Sequence, residues 1–352
     1  MTRLASISTL AAALMFTTSA VAQVSATPPA AQKSEPEKPA AKPKTKPHTV
    51  TKKLPAPAAE AKSTTPAPAA TAPDDPNVDR VYGAYQRGQY KTAFDLATVR
   101  AQAGDPKAMT MLGELYANEL GVRRDDAKAV EWYKRAADAG DREAMFALAM
   151  MRIAGRGAPA DRLEAVKLLA AAAKLGEPKA AYNLALLYLD GQTLPQDLKR
   201  AAELLRLAAD AGNPEAQYAL ATFYKEGTGV EKDLEKAVRL LQAAALADNV
   251  DAEVEYAIAL YNGTGTPKNQ PAAVALLRKA AHQNSPIAQN RLARVLVTGQ
   301  GAPMDKIEGL KWHVIAKTSG KGDLFLDEAL AQLSPEDRAK VEDAARRWLN
   351  VK

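Results

Sequence analysis

Three histidines, forty-one acidic residues and no cysteine set the chemistry open to this chain of 352 residues. Hydrolysis would need a nucleophile beside an oriented base, a metal cluster, or two carboxylates facing each other in a pocket. Without cysteine there is no thiolate nucleophile and no disulfide, so the folded part must be held by packing alone. His48 falls in a proline-rich stretch and His282 near the end of a helix. His313 stands in a column occupied elsewhere by Tyr133, Leu169, Leu205, Leu241 and Leu277, which marks it as a packed or surface-edge ring rather than a base. The acids spread over solvated helix faces and caps, and neither a phosphate-cradling glycine loop nor a zinc signature occurs. No catalytic residue, metal or cofactor is expected.

The residues that recur do so for architecture. Hydrophobic residues make up 47% of the chain but aromatics only 5%, a balance suited to closely stacked helices and not to a β-sandwich. Gly104, Gly140, Gly176, Gly212, Asp248, Asn284 and Gly320 follow one another at intervals of 36, and all three residue types tolerate left-handed backbone. Ala108, Ala144, Ala180, Ala216, Ala252 and Ala288 are identical at one position. Four residues later come Leu112, Leu148, Leu184, Leu220, Tyr256 and Leu292, then a small residue, the pattern of a helix packed tightly on a neighbour. Asp105-Pro106, Glu177-Pro178, Asn213-Pro214 and Ser285-Pro286 open four of these first helices, and glycine pairs such as Gly227/Gly229 close them.

A second helix begins at Asp125, Asp161, Asp197, Asp233, Asn269 and Asp305, each able to cap a free backbone N–H. Its buried face is expected at Ala129, Ala165, Ala201, Ala237, Ala273 and Gly309, at Trp132, Leu168, Leu204, Leu240, Leu276 and Trp312, and at Ala136 and its equivalents. One hairpin cannot bury its apolar face alone, so the six units of 104–320 must stack into a superhelix. A shortened leading hairpin is expected over 77–103 and a helical cap over 321–352.

Ala180-Ala-Tyr-Asn-Leu-Ala-Leu-Leu-Tyr188, Gly227-Thr-Gly-Val-Glu-Lys-Asp233 and Lys128-Ala-Val-Glu-Trp-Tyr-Lys-Arg-Ala-Ala-Asp-Ala-Gly140 resemble Sel1-like repeats, relatives of the tetratricopeptide repeat. The resemblance spans 104–320 and implies an all-α, right-handed superhelical solenoid. Arg152 in place of a tyrosine, Thr193 in place of the second turn glycine and Tyr256 in place of leucine are local departures.

The N-terminus has different chemistry. Arg3, the apolar run from Leu4 to Phe16 and Ala20-Val21-Ala22 read as a secretory signal over 1–22, which places the protein in the periplasm. The alternative is an uncleaved inner-membrane anchor, disfavoured because the apolar run is shorter than the ~20 residues of a spanning helix. Residues 23–76 hold twelve of the 22 prolines and read as a disordered, semi-stiff tether rich in Pro, Ala and Lys. Eight lysines against five acids there, plus Arg3, account for most of the net charge of +6, so no folded face is marked for nucleic acid. The lysines serve solubility or, in the sharper reading, weak contact with an anionic envelope surface.

If tetratricopeptide geometry carries over, the first helices line the concave face. Phe146, Met150, Ile153, Tyr182, Leu186, Leu189, Tyr218, Val254, Ile258 and Tyr261 then form an apolar stripe, flanked by Asn183, Asn290 and Arg294. A peptide or partner helix would lie there, aromatics anchoring it and Asn amides pairing its backbone. The competing reading is that the tyrosines pack one repeat on the next. The resemblance extends, at repeat level only, to a periplasmic class of exopolysaccharide regulators in rhizobia, which implies a scaffold or adaptor in envelope signalling. A membrane-anchored linker and an envelope hydrolase are the alternatives.

Overall fold

The computed structural model describes residues 79–350, and every regular element among them is a helix. The leader expected at 1–22 and the tether expected at 23–76 lie outside the described residues. The helices alternate as hairpins. A leading pair, α1 (Arg80–Gln86) and α2 (Tyr90–Gln102), precedes six pairs: α3 (Pro106–Ala117) and α4 (Asp126–Asp138), α5 (Arg142–Ala154) and α6 (Arg162–Lys174), α7 (Pro178–Asp190) and α8 (Leu198–Asp210). Then come α9 (Pro214–Glu226) and α10 (Leu234–Leu246), α11 (Val250–Asn262) and α12 (Gln270–His282), α13 (Pro286–Thr298) and α14 (Lys306–Thr318). The expected terminal cap is two helices, α15 (Leu324–Ala331) and α16 (Pro335–Asn350). Each helix packs on its neighbours in the chain, which makes the array an all-α solenoid.

The caps form where the residue types require them. Asp105, Asp141, Glu177, Asn213, Asn249 and Ser285 each accept a first-turn N–H of a first helix. Asp125, Asp161, Asp197, Asp233, Asn269 and Asp305 do so for the second helices. Between repeats the chain turns through left-handed backbone, with φ between +60° and +92° at Gly104, Gly140, Gly176, Gly212, Asp248, Asn284 and Gly320. At Gly140 the N–H donates to the Ala137 carbonyl while the next N–H, of Asp141, reaches back to Ala136. That double bond pattern satisfies carbonyls the helix end would leave bare.

Where a hairpin turn holds two glycines, they do different work. Gly227 ends α9 in left-handed backbone, whereas Gly229 lies against the Leu198 carbonyl that starts α8, in the preceding repeat, where a Cβ would overlap the oxygen. Gly157 meets the Asp126 carbonyl, and Gly265 the Leu234 carbonyl, in the same way. The second glycine is therefore an inter-repeat contact and not a helix stop. Gly121 makes this contact on the leading hairpin, a Cβ there lying 2.6 Å from the Lys91 nitrogen, so α2 stacks as a repeat helix does.

The alanine columns are buried throughout. The deepest column of the second helix is one residue later than expected, at Tyr133, Leu169, Leu205, Leu241, Leu277 and His313; of the expected column, Leu204 and Trp312 are buried while Trp132, Leu168, Leu240 and Leu276 stay half-buried. Gly113 makes room for the largest of these, since a Cβ would lie 2.6 Å from the Tyr133 ring. His313 is wholly buried, its Nε2 2.9 Å from Asp327 Oδ1 in α15, and Lys317 reaches the same oxygen at 2.7 Å. On the other side of α14, Trp312 packs with His282 and Trp348 at ring separations of 5.1 Å each. These polar and aromatic contacts attach the terminal helices to the last repeat.

One buried charge breaks the repeat chemistry. In the column after the shared alanine, Gln217 and Gln289 donate to the Ala209 and Ala281 carbonyls of the preceding helix, but the fifth repeat has Glu253, fully buried. A carboxylate cannot donate, and Lys279 of α12 lies 2.5 Å from its Oε1 instead.

Leu184, buried in the core of α7, should cost about 2–5 kcal/mol when cut to alanine, read as the shift in urea midpoint. Lys279→Ala should cost about 1–3 kcal/mol by stranding the Glu253 carboxylate, and adding Glu253→Gln should recover the loss.

Candidate functional site

The first-helix face carries the cross-repeat contacts that decide which stripe residues are free. Thr110 donates to Asp141, Lys225 pairs with Glu255 at 3.0 Å, Tyr261 donates to the Gln300 carbonyl, and Asn290 to that of Lys321. Arg294 grips Asp323 through two nitrogens and lies over the Phe325 ring. Each bond joins a first helix to the repeat or terminal hairpin that follows, so part of this face is spent on stacking.

The expected stripe divides accordingly. Leu186, Leu189 and Val254 are buried, at 5%, 2% and 4% exposure, and fill the stack instead of facing a partner. Ile258 and Tyr261 are half-buried but pack against the C-terminal core, and the Tyr261 hydroxyl is already engaged. Asn183 donates to the Lys179 carbonyl of its own helix at 2.8 Å. With Asn290 and Arg294 also committed, none of the three polar flanks offers a free side chain. Phe146, Met150, Ile153, Tyr182 and Tyr218 remain, half-buried and spread over three consecutive repeats. Neither the Tyr182 nor the Tyr218 hydroxyl bonds to a described residue.

Acidic residues of the following first helix stand behind both phenols. Burial and then the Glu215 carboxylate push the Tyr182 phenol up, and burial with Asp251 and Glu255 pushes Tyr218 up to about 12. Burial and Glu255 also raise the Asp251 carboxyl. Position in the repeat could have revealed these acids, because Glu215 and Asp251 are 36 residues apart in the first turn of their helices. A second cluster at the N-terminal end also escaped the repeat columns. Glu114 accepts from Tyr133 and Asn118, and burial followed by Glu114 raises Tyr85 to about 12.

Nothing in the described residues assembles a nucleophile and base. The His313 and Asp327 pair joins the last repeat to the terminal hairpin, and among the described residues no group of three His, Cys, Asp or Glu is placed to hold a metal. A depression between α10 and the following turn, lined by Glu235, Val238, Arg239, Gln242 and Pro267, is largely open to solvent. No described helix is long and apolar enough to cross a membrane.

The Sel1 repeat family model matches residues 106–141, 142–177, 178–213, 214–249, 250–285 and 286–320, one hairpin to each segment. The chain belongs to the Sel1 repeat family. Among solved structures it is similar to a Sel1 repeat protein from Oxalobacter formigenes, with 27% identity and a TM-score of 0.62 over 69% of this chain and 100% of that one. It is also similar to a protective antigen of uropathogenic Escherichia coli strains displaying an SLR fold, at 25% identity and TM-score 0.53 over 77% of this chain and 69% of that one. No curated protein matches. Sel1 repeat proteins mediate protein–protein interaction and are typically non-catalytic.

The Tyr218 environment fixes a pH dependence. A phenol raised above its ordinary value of 10.0 favours the fold fully below pH 10, and that contribution is lost as pH rises toward about 12. Tyr218→Phe should therefore flatten the fall of stability with pH above pH 10, checked by urea midpoints of both proteins across that window.

Proposed function

We propose that this Sel1 repeat protein is a non-catalytic periplasmic scaffold that holds a peptide or helix of a partner protein on its first-helix face, centred on Phe146, Tyr182 and Tyr218. The observation that carries this reading is the half-burial of three aromatic side chains at equivalent positions of consecutive repeats, where the corresponding Thr110 and Asn290 are taken up by stacking bonds. Aromatic rings seated in a partly desolvated surface contribute large contact area at low entropic cost, which is why such residues dominate binding hot spots. Met150 and Ile153 extend the apolar floor at the N-terminal end. Export rests on the N-terminal signal pattern of residues 1–22, and control of an envelope signalling or exopolysaccharide system is the narrower form of the same reading.

The test is capture of the partner by the tagged full chain, with Phe146→Ala, Tyr182→Ala and Tyr218→Ala combined as the control. The triple variant should keep its helical circular dichroism and lose the partner at least tenfold, about 1.4 kcal/mol or more. Undiminished capture would assign the three rings to packing alone.

A further inference from the structure

Successive first helices lie side by side, since Thr110 of α3 donates to Asp141, the residue that caps α5, and Lys225 of α9 reaches Glu255 of α11 at 3.0 Å. Equivalent residues on them are therefore one helix width apart, about 8–10 Å. Phe146, Tyr182 and Tyr218 stand at such equivalent positions of α5, α7 and α9. The two phenols carry a polar group that the stack does not use. The hydroxyls of Tyr133, Tyr224 and Tyr261 bond to Glu114, Arg206 and the Gln300 carbonyl, whereas those of Tyr182 and Tyr218 bond to no described residue and stay open to solvent. Each is a hydrogen-bond donor beside an apolar ring, recurring at one fixed interval.

We infer that this row takes an extended, proline-rich and non-acidic segment of a partner protein in the polyproline II conformation, one turn of the segment to each repeat, with prolines stacked on the three rings and carbonyls accepting from the Tyr182 and Tyr218 hydroxyls. The inference rests on the groove reading above and adds the backbone conformation and composition of the occupant. Polyproline II has three residues per turn at about 3.1 Å each, so the same side of it returns every ~9 Å, in step with the rings. It makes no internal hydrogen bonds, which leaves its carbonyls free to accept. A partner helix can place side chains at a similar interval every two turns, but its carbonyls are already bonded and the two hydroxyls would be covered unpaired. A strand returns to the same side after about 6.6 Å, out of step with the repeat. Charge selects further. Buried Glu253 is neutralised by Lys279, and the rest of α7, α9 and α11 holds five acids against Lys179 and Lys225, which disfavours an acidic segment.

Fluorescence anisotropy of the full chain with labelled tetraproline, heptaproline and decaproline tests the inference, with a glycine–serine decapeptide as control. Proline has no N–H, so the backbones of these peptides can only accept. Affinity should rise about fivefold or more with each added turn, and the control should not bind. Tyr182→Phe combined with Tyr218→Phe keeps both rings and should weaken decaproline about tenfold, with helicity checked by circular dichroism. Tyr261→Phe, whose hydroxyl is spent within the stack, should leave affinity unaltered. Pro-Pro-Lys repeats should bind more tightly than Pro-Pro-Glu repeats of equal length. Absence of decaproline binding, an affinity independent of length, tighter binding of the glutamate repeats, or a double phenylalanine variant as tight as wild type would each overturn it. Loss of the natural partner in the triple alanine variant, but not in the double phenylalanine variant, with no decaproline bound, would leave the groove standing and remove the proline assignment.

Discussion

Successive hairpins meet where backbone touches backbone. The second turn glycine of one repeat rests against the first-turn carbonyl of the second helix before it, at Gly157 on Asp126, Gly229 on Leu198 and Gly265 on Leu234. A Cβ at these three glycines would overlap the carbonyl, although Thr193 holds the equivalent place in the third repeat, and the alanine columns are sized to the same close approach. Larger residues in those columns would push the helices apart and open the glycine contact. Gly113 shows the adjustment in reverse, giving up its Cβ so that the Tyr133 ring can occupy a core position that leucine fills in four other repeats.

Much of this architecture is legible in the residues themselves. The left-handed turns fall on the Gly, Asp and Asn of one column, and the caps fall on the polar residues that precede each helix. Both are local effects of backbone geometry, and local effects can be read along a chain. Burial in a stack is different, because a first helix touches its own hairpin on one side and the next repeat on another. Leu186 and Leu189 are the repeat equivalents of Met150 and Ile153, yet they are buried where Met150 and Ile153 are half-buried. Helical periodicity says which residues share a side, not which part of that side a neighbour occupies. The commitment of Arg294 to Asp323 in the terminal hairpin was hidden for the same reason.

The departures from the repeat pattern have visible physical costs. Arg152 replaces an aromatic residue and leaves its Nε buried without a hydrogen bond, and Thr193 replaces a turn glycine and leaves its hydroxyl likewise. Elsewhere the aromatic at the Arg152 position has a cation beside it, as Lys128 over Tyr116 and Lys236 over Tyr224. In the second repeat the cation takes the aromatic's place, and Glu164 stands where those lysines do. The fifth repeat pairs Glu253 with Lys279 where its neighbours use glutamine. Such exchanges are tolerated because a solenoid confines them to adjacent repeats.

Uniform spacing has one further result. With no insertion anywhere from Gly104 to Gly320, equivalent side chains recur after every 36 residues, so the face acts as a graduated scale. Phe146, Tyr182 and Tyr218 are successive marks on it, and a ligand that reads them must carry its own anchors at a matching interval. Duplication of a whole repeat would add a mark without moving the others relative to their own hairpins, whereas a single inserted residue in a turn would displace every mark beyond it.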